Sequence, residues 1–385
     1  AFPPLPFALC VKDTTKALQT VAAFWRRKFT TRVIGITGSV GKSTTKELTA
    51  EILSQRYRTL KNQGNFNNEV GLPLTLLRLG PGYDRVVLEM GFYEPGEIAS
   101  LCEIAKPQVG ILTNIGTVHA SRAGSQETIA HGKSELVRAL PPAPTGSAIL
   151  NIDDPFIREM ANLTQAKVIY YGLDSKADLW ADEIESRGLD GIHFKIHHGA
   201  DAFNLQAPLI GRHSIHTILA AAAAALNEGL TWQEIILGLQ HATSQLRLVA
   251  VKTRQGALIL DDTYNASPES MLAALNLLNE LPGRKIAVLG GMNELGQYEQ
   301  LGHNKVGIRA AEVVDKLIAF QEKAQLIATA AQKAGLPGEF IEIIDDENEV
   351  IQALNLTLRP GDVVLVKGAH SLRMDRIVQA MEVEG

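Results

Sequence analysis

The 385-residue sequence contains little cysteine and few aromatic residues, since Cys10 and Cys102 are its only cysteines and Phe, Trp and Tyr make up 5% of it. Two cysteines so far apart in sequence exclude the disulfide framework that holds many small secreted domains together. The sequence also lacks an apolar run of the roughly 18 residues that a membrane-spanning helix requires. We therefore expect a protein without a membrane span, located in the reducing cytoplasm.

An excess of basic charge is absent as well. The chain has 37 Lys and Arg residues against 42 Asp and Glu residues, which gives a formal net charge of −5 with neutral histidines. This balance does not indicate a nucleic-acid partner. With 45% hydrophobic and 21% charged residues the composition is that of a globular protein, and disordered or collagen-like classes are excluded. The length predicts two or three domains of roughly 150 residues each.

The first ten residues, AFPPLPFALC, lack the charged region and the cleavage site of a secretory signal. Because the chain opens with Ala1 rather than methionine, we expect it to have been cut from a longer protein. From Thr14 to Arg27, apolar residues recur at helical spacing, and the basic residues at the end of this stretch suit a helix C-terminus. Residues 1–31 are thus predicted to be a leading segment with a short helix.

The stretch RVIGITGSVGKSTTKELTAEIL, which starts at Arg32, predicts a strand, a glycine-containing turn and a helix. Further buried-type strands are predicted at 86–88, 109–112 and 148–150, separated by helical patterns, which favours parallel βαβ units. Residues 165–209 alternate short β-type runs with turns and are interpreted as a mixed insertion. The alanine run Ala220–Ala225 predicts a tightly packed helix.

A second set of alternating strands and helices begins near residue 247. Its strands are predicted at 257–260, 286–289, 317–320, 340–344 and 363–366. We place the boundary between two domains at about residue 245, with no internal repeat and no low-complexity linker. The predicted fold class is α/β, with a central parallel-sheet domain of the P-loop ATPase type and a C-terminal Rossmann-like α/β domain.

A phosphate-binding loop is predicted at the first strand-to-helix turn. It consists of Thr37, Gly38, Ser39, Val40, Gly41, Lys42, Ser43 and Thr44. Backbone N–H groups and the helix N-terminus would surround a polyphosphate, Lys42 would reach the β- and γ-phosphates of ATP, and Ser43 would bind Mg²⁺. The common eight-residue motif would have glycine at position 36, where this sequence has Ile36. A glycine-rich turn without a ligand is the alternative interpretation.

Further motifs follow this loop in a fixed order. They are NFNNEVGLP, LEMGFYEPGEI, ILTNIGTVH, HGKSEL, GRHSIH, DDTYNASPES and LVKGAHS. Together with TGSVGKSTTKE they make the chain, from about Asp13 onward, similar to the Mur ligase family. NFNNEVGLP and DDTYNASPES resemble the type that joins D-alanyl-D-alanine to UDP-N-acetylmuramoyl-tripeptide in the synthesis of peptidoglycan precursors.

The resemblance implies an ATP-dependent amide synthesis through an acyl phosphate, with those two compounds as substrates and two Mg²⁺ ions. Ser43 and Glu89 would hold one ion, and His119 would bind the second. Lys133 would be carbamylated by carbon dioxide, so that its cation becomes an anion that helps to hold the second ion. Without the resemblance, Glu89 would be a solvated strand end, His119 a structural histidine and Lys133 a surface lysine that pairs with Glu135.

Other residues are assigned through the same resemblance. Arg247 and Asp262 of the second domain would approach the ATP phosphates and the nucleotide when the domains close. His213 would contact the nucleotide. The substrate-binding residues would be Asn65, Asn67, Asn68, Tyr264 and Asn265. For Asp262 the alternative is a turn cap at a strand end, a role that Asp261 could equally fill.

Enzymes of this type carry an additional N-terminal domain of roughly 80 residues that binds the uridine nucleotide. We expect this chain to begin near the end of that domain, so that residues 1–31 are a remnant of its linker. Residues 32–245 would be the central ATP-binding domain and residues 246–385 the C-terminal ligase domain. We expect a monomer.

Two other interpretations stay open. The chain could be a related ligase of the folylpolyglutamate, cyanophycin or poly-glutamate synthetase kind, which shares the phosphate loop and the domain pair. It could also be a nucleotide-binding partner subunit without activity of its own. Release of phosphate only in the presence of both predicted substrates would separate the three.

Overall fold

A computed structural model describes residues 10–241 and 249–383. The first part contains helices α1 (Thr14–Arg26), α2 (Lys42–Leu53), α3 (Gly71–Leu76), α4 (Glu97–Ala105), α5 (Ala120–Ala123), α6 (Gln126–Arg138), α7 (Pro155–Glu159), α8 (Ser214–Asn227) and α9 (Trp232–His241). Its strands are β1 (Arg32–Thr37), β2 (Thr59–Lys61), β3 (Arg85–Glu89), β4 (Val109–Leu112), β5 (Ser147–Asn151), β6 (Lys167–Gly172), β7 (Leu179–Ser186), β8 (Ile192–His198) and β9 (Asp201–Ala207).

The second part contains helices α10 (Pro268–Glu280), α11 (Glu299–Val313), α12 (Gln325–Lys333), α13 (Glu347–Thr357) and α14 (Asp375–Met381). Its strands are β10 (Val249–Lys252), β11 (Leu258–Asp261), β12 (Lys285–Gly290), β13 (Lys316–Phe320), β14 (Ile341–Ile344) and β15 (Val363–Lys367). Each predicted strand therefore overlaps an observed one.

The first sheet has nine strands in the order β2-β3-β1-β4-β5-β6-β7-β8-β9. Neighbouring strands from β2 to β7 in this order run parallel. β8 pairs antiparallel with β7, and β9 pairs antiparallel with β8. Strands in the middle of the sheet are apolar throughout because helices cover both faces. In β1, for example, Val33 packs into one core with Leu72 and Ile98, and Ile34 packs into the other with Leu48. The insertion at 165–209 extends this same sheet.

The second sheet has six strands in the order β10-β11-β15-β12-β13-β14. Among its described strands, β10 and β11 pair antiparallel and the other neighbours pair parallel. This order places β11 and β15 side by side, so that the carboxyl ends of both strands lie next to each other on one side of the sheet. Ligands of parallel α/β sheets bind beside the carboxyl ends of the strands.

Helix α8 is the buried helix that the alanine run predicted. Ala220–Ala225 are almost completely inaccessible to solvent, and α8 packs between α2 and the first sheet. Methyl side chains allow helix axes to approach closely, which explains a run of one small residue. The described residues include no helix that is long and apolar enough to cross a membrane.

Helix α1 begins where it was predicted, and the basic residue Arg26 lies in its last turn, as predicted. The buried Arg26 guanidinium also donates to the carbonyl oxygens of Ala105, Phe29 and Thr31 at 3.0, 2.8 and 2.8 Å. Arg26 therefore fixes the end of α1 to the end of α4 and to the connection before β1 through hydrogen bonds.

Candidate active site

The phosphate loop connects β1 to α2, as predicted. Gly38 and Gly41 have φ angles of +148° and +82°, which residues with a side chain rarely adopt. A Cβ atom on Gly38 would also lie 1.9 Å from the Thr113 hydroxyl oxygen. Ile36 is fully buried within β1, so the position where the common motif has glycine belongs to the strand here. The sharp turn begins at Gly38 instead.

Side chains from neighbouring strands hold this loop in shape. The Asn114 side-chain oxygen accepts from the Ser39 and Val40 amides at 3.2 and 2.8 Å. The Lys42 ammonium donates to the Gly38 and Ser39 carbonyl oxygens at 2.9 and 3.0 Å. Helix α2 starts after Gly41 without a side-chain cap, so its first N–H groups face the cleft as an anion-binding helix terminus does.

Glu89, at the carboxyl end of β3, is only 3% exposed and is not a solvated strand end. Its carboxylate accepts a 2.5 Å hydrogen bond from the Ser43 hydroxyl and a 2.8 Å bond from the Asn67 amide. The Asn62 side chain bonds both the N–H and the C=O of Glu89. Glu89 and Ser43, the two predicted Mg²⁺ ligands, therefore lie together beside the phosphate loop.

Lys133 lies in the middle of α6 and is 1% exposed. The interpretation as a surface lysine that pairs with Glu135 is wrong, because Glu135 accepts from the Gly96 and Ala99 amides. The Lys133 amine donates to the Ser39 hydroxyl at 2.8 Å. Burial, with a further contribution from Lys42, lowers the pKa of Lys133 well below its ordinary range.

His119 precedes α5 with a φ angle of +69°, in the left-handed region. Its Nδ1 atom lies 2.5 Å from the Glu294 carboxylate, and its ring packs edge-on against Tyr93. Burial lowers the pKa of His119 to about 4, although Glu294 acts in the opposite direction. The ring is therefore neutral near pH 7, which a metal-binding imidazole must be.

Asp262 follows β11 and forms a 2.7 Å ion pair with the buried Lys367 of β15. The Lys367 ammonium also donates to the Asn265 carbonyl oxygen at 2.7 Å. The turn cap at this strand end is Asp261, which accepts from the Thr263 amide and hydroxyl. The structure thus separates the two roles that the sequence left open for the neighbouring aspartates.

The predicted substrate residues have different surroundings. Asn67 binds Glu89, whereas the Asn68 side chain accepts from the Gly71 amide at 2.9 Å and supports the start of α3. Asn65 lines the cleft. Tyr264 packs edge-on against His370, with ring centroids 5.9 Å apart. His213, the predicted nucleotide contact, lines the same cleft as Asn65, and burial lowers the pKa of its ring.

One cleft of about 470 Å³ between the two sheets brings most of these residues together. From the first sheet it is lined by Gly38 to Thr44, Asn65, Asn67, Asn68, Glu89, His119 and His213; from the second, by Asp262, Tyr264, Asn265, Ser267 and Lys367. Thr37 and Lys133 lie behind the loop, where they contact Met90 and Ser39. Arg247 and the predicted boundary at 245 lie outside the described residues.

Several residues at or behind this cleft were missed by sequence reasoning. Lys367 lines it, whereas Asn62, Asn114, Glu269 and Glu294 hold Glu89, the phosphate loop, Thr117 and His119 in place. Asn114 and Lys367 stand in quoted motifs, and each follows or ends a buried strand, which is the signal that could have identified them. Within the described ranges, no group of three or more His, Cys, Asp or Glu side chains is arranged to hold a metal ion.

A nucleotide-type phosphate loop, a carboxylate beside it and a second α/β sheet that closes the cleft define an ATP-using enzyme of two α/β units. Residues 36–225 match the Mur ligase middle domain, and residues 246–370 match the Mur ligase, glutamate ligase domain. The chain belongs to the Mur ligase family, and the predicted resemblance and α/β fold class are confirmed.

Individual relatives agree with this assignment. The UDP-N-acetylmuramoyl-tripeptide–D-alanyl-D-alanine ligase of Synechocystis sp. is 40% identical over 377 residues, which are 97% of this chain and 80% of the relative. A crystal structure of MurF from Acinetobacter baumannii has a TM-score of 0.89 at 31% identity, covering 97% of this chain and 81% of that one. MurF from Thermotoga maritima in complex with ADP has a TM-score of 0.87 at 28% identity, covering 99% and 86%.

Proposed function

We propose that this chain is an ATP-dependent ligase that joins D-alanyl-D-alanine to UDP-N-acetylmuramoyl-tripeptide in the synthesis of peptidoglycan precursors. The observation that carries the proposal is the cleft in which the phosphate loop, the Ser43–Glu89 pair and the second-sheet residues Asp262 and Lys367 meet. Relatives named for this reaction support the choice of substrates.

The reaction transfers the γ-phosphoryl group of ATP to the terminal carboxylate of the tripeptide, giving ADP and an acyl phosphate. The amine of D-alanyl-D-alanine then attacks the acyl carbon, the amide bond forms, and phosphate leaves. Both steps require negative charge to be neutralised and reactants to be positioned. Lys42 and the first amides of α2 are placed to bind the phosphates.

The donor set beside the loop fits a magnesium ion. The Ser43 hydroxyl and the Glu89 carboxylate are hard oxygen ligands, and their 2.5 Å contact supports a role for both at one ion. When bound, Mg²⁺ would neutralise phosphate charge. Asn67 and Asn62 hold the carboxylate and the backbone of Glu89 in place. A second ion would use the neutral His119 ring, which Glu294 orients through Nδ1.

Carbamylation of Lys133 is part of the proposal. Carbon dioxide reacts with an uncharged amine, and burial lowers the pKa of Lys133 so that this form is available at a lower pH than in an exposed lysine. The carbamate would place an anion beside the Lys42 ammonium, where the positive charge of Lys42 stabilises it.

In the second unit, Asp262 and Lys367 would contact the nucleotide, and Tyr264 and Asn265 would face the acceptor substrates. Arg247 keeps its predicted role as a cation near the transferred phosphate. The division of the chain at residues 31 and 245, the monomeric state and the cytoplasmic location also stay predictions.

The test is phosphate release from ATP by the purified chain, measured with each substrate alone and with both. We expect release only with both UDP-N-acetylmuramoyl-tripeptide and D-alanyl-D-alanine. Release with a folate and glutamate would favour the folylpolyglutamate type of ligase. ATP binding without release under any of these conditions would favour a partner subunit without activity.

A further inference from the structure

A second cleft, of about 540 Å³, separates the two sheets away from the phosphate loop. One side is formed by the end of β7 and the following turn, with Ser186 and Gly188. The other side is formed by the C-terminal end of α10, with Glu280 and Leu281, and by the first residues of β11 and β15. It therefore lies at the amino ends of these strands, whereas Asp262 and Lys367 lie at their carboxyl ends.

Two buried oxygen atoms on opposite sides of this cleft have no hydrogen-bond partner among the described residues. One is Oγ of Ser186 and the other is Oε2 of Glu280. Buried polar atoms of folded proteins are nearly always hydrogen-bonded, to protein or to a bound molecule. The ionised Glu280 carboxylate can only accept, and the Ser186 hydroxyl can accept as well as donate, so a bound donor group could satisfy both atoms.

The electrostatics of the cleft favour a cation. Glu280 is the last residue of α10, so its carboxylate adds negative charge at the end of the helix where the dipole is already negative. The other acidic group, Asp362, is neutralised by the Arg284 guanidinium at 2.6 Å. Arg187, at the rim, is mostly exposed and lies 3.7 Å from the Glu185 carboxylate. Among the described residues that line the cleft, Glu280 is therefore the acidic group for which no ion pair is seen.

The remaining lining is apolar. Leu258, Leu281, Pro282 and Val363 contribute to it, together with glycines. A cavity of a few hundred Å³ with apolar walls and few polar groups is typical of a site for a small organic molecule. A bare metal ion would find too few oxygen ligands here, because the two unpartnered atoms come from only two side chains.

We infer that this second cleft binds a small organic cation, with a primary ammonium group on a short apolar body. The ammonium group would donate to Glu280 and to Ser186, and the apolar body would lie against Leu281 and Val363. The N-terminal end of the same helix, α10, lines the active cleft through its cap residue Ser267 and through Ser270. Because a 13-residue helix is roughly 20 Å long, the two sites are separate.

The test uses n-butylammonium chloride as the probe, with butyrate and n-butanol as an anion and a neutral molecule of similar size. Binding to the full chain would be followed by calorimetry and by a crystal soak. We expect saturable binding of n-butylammonium alone, located between Ser186 and Glu280. Saturation by butyrate or n-butanol with equal affinity, or density for ordered water only, would overturn the inference.

Three variants complete the experiment. Glu280→Gln keeps the shape of the side chain but removes its charge, and should weaken binding about tenfold or more. Ser186→Ala should weaken it about two- to tenfold. Glu339→Gln removes an exposed charge elsewhere in the second part of the chain and should bind as the parent does. Unchanged affinity in both cleft variants, with unfolding temperatures like the parent's, would show that the probe binds elsewhere.

Discussion

The Lys42 ammonium contacts the carbonyl oxygens of its own loop, 2.9 Å from Gly38 and 3.0 Å from Ser39. These contacts place a cation over the position where phosphate oxygens would bind. We predict that Lys42→Ala lowers ATP turnover about 100-fold or more, because charge stabilisation in the transition state is lost. The unfolding temperature should change little, since the side chain does not belong to a hydrophobic core.

Steady-state phosphate release with both substrates measures this effect. Lys176→Ala, which removes an exposed cation from the same part of the chain, is the matched control and should retain parental turnover. Near-parental turnover in Lys42→Ala would contradict the assigned role of the loop.

Lys133 gives a second prediction at the scale of residues. Burial lowers its pKa, so the uncharged amine exists at a lower pH than in an exposed lysine. We predict that incubation with ¹³C-bicarbonate near neutral pH yields a carbamate signal in the NMR spectrum, and that Lys133→Met lacks that signal. Lys133→Ala should lose activity and recover part of it with a short carboxylate that restores the anion. A parental spectrum without a carbamate signal would count against the modification.

Single residues also show what could and could not be predicted from the sequence. The position of Lys42 and Ser43 at the start of α2 follows from the loop motif, because the spacing places both just after the glycine turn. In contrast, the roles of Asp261 and Asp262 were left open. Neighbouring residues at a strand end point to opposite sides, and only the pairing of β11 with β15 places Lys367 beside Asp262.

At the scale of elements, His303 of α11 holds the turn that follows β12. Its Nε2 atom accepts from the Met292 amide at 3.0 Å, so Nδ1 carries the proton and donates to the Glu299 carbonyl oxygen at 2.7 Å. The ring is fully buried, and burial lowers its pKa. Protonation of Nε2 would break the bond from Met292.

The direction of the pH effect follows from this pKa. Below about pH 6.5 the histidine of the unfolded chain binds a proton that the folded chain excludes, so the stabilising contribution of His303 decreases as the pH falls. We predict that His303→Gln lowers the free energy of unfolding by about 1 kcal/mol or more at pH 7, and that the difference from the parent shrinks at lower pH. Denaturant unfolding at several pH values measures it. A difference independent of pH would contradict the assigned neutral ring.

Elements with a strong apolar pattern were predictable from the sequence, whereas the two edge strands of the first sheet, β2 and β9, were not. β4 was predicted at its observed bounds, since all four of its residues are buried and apolar. β2 has only three residues, and β9 is largely exposed and includes Asn204 and Gln206. Such edge strands are held by pairing with a neighbour, which a local pattern does not reveal.

At the scale of the whole molecule, acidic residues of the second part hold the loop that carries His119. Glu269 accepts from the Thr117 amide at 3.2 Å, and Glu294 contacts His119 at 2.5 Å. The Gln297 side chain donates to the Gly124 carbonyl oxygen at 2.9 Å. These partners are more than a hundred positions apart in sequence, so no spacing or motif predicts their contact.

These contacts lead to a prediction about how the two parts of the molecule are held together. Neither Glu269 nor Glu294 belongs to a hydrophobic core, so replacing both with alanine should leave each sheet folded. The double variant loses hydrogen bonds across the active cleft while the chain connection stays intact. We predict that the cleft then widens, that the radius of gyration from X-ray scattering without ligands increases, and that KM for ATP rises. Glu322→Ala with Glu339→Ala, which changes the net charge equally at sites away from the cleft, is the control. If the scattering profiles of the two double variants coincide with that of the parent, other contacts determine the arrangement of the sheets.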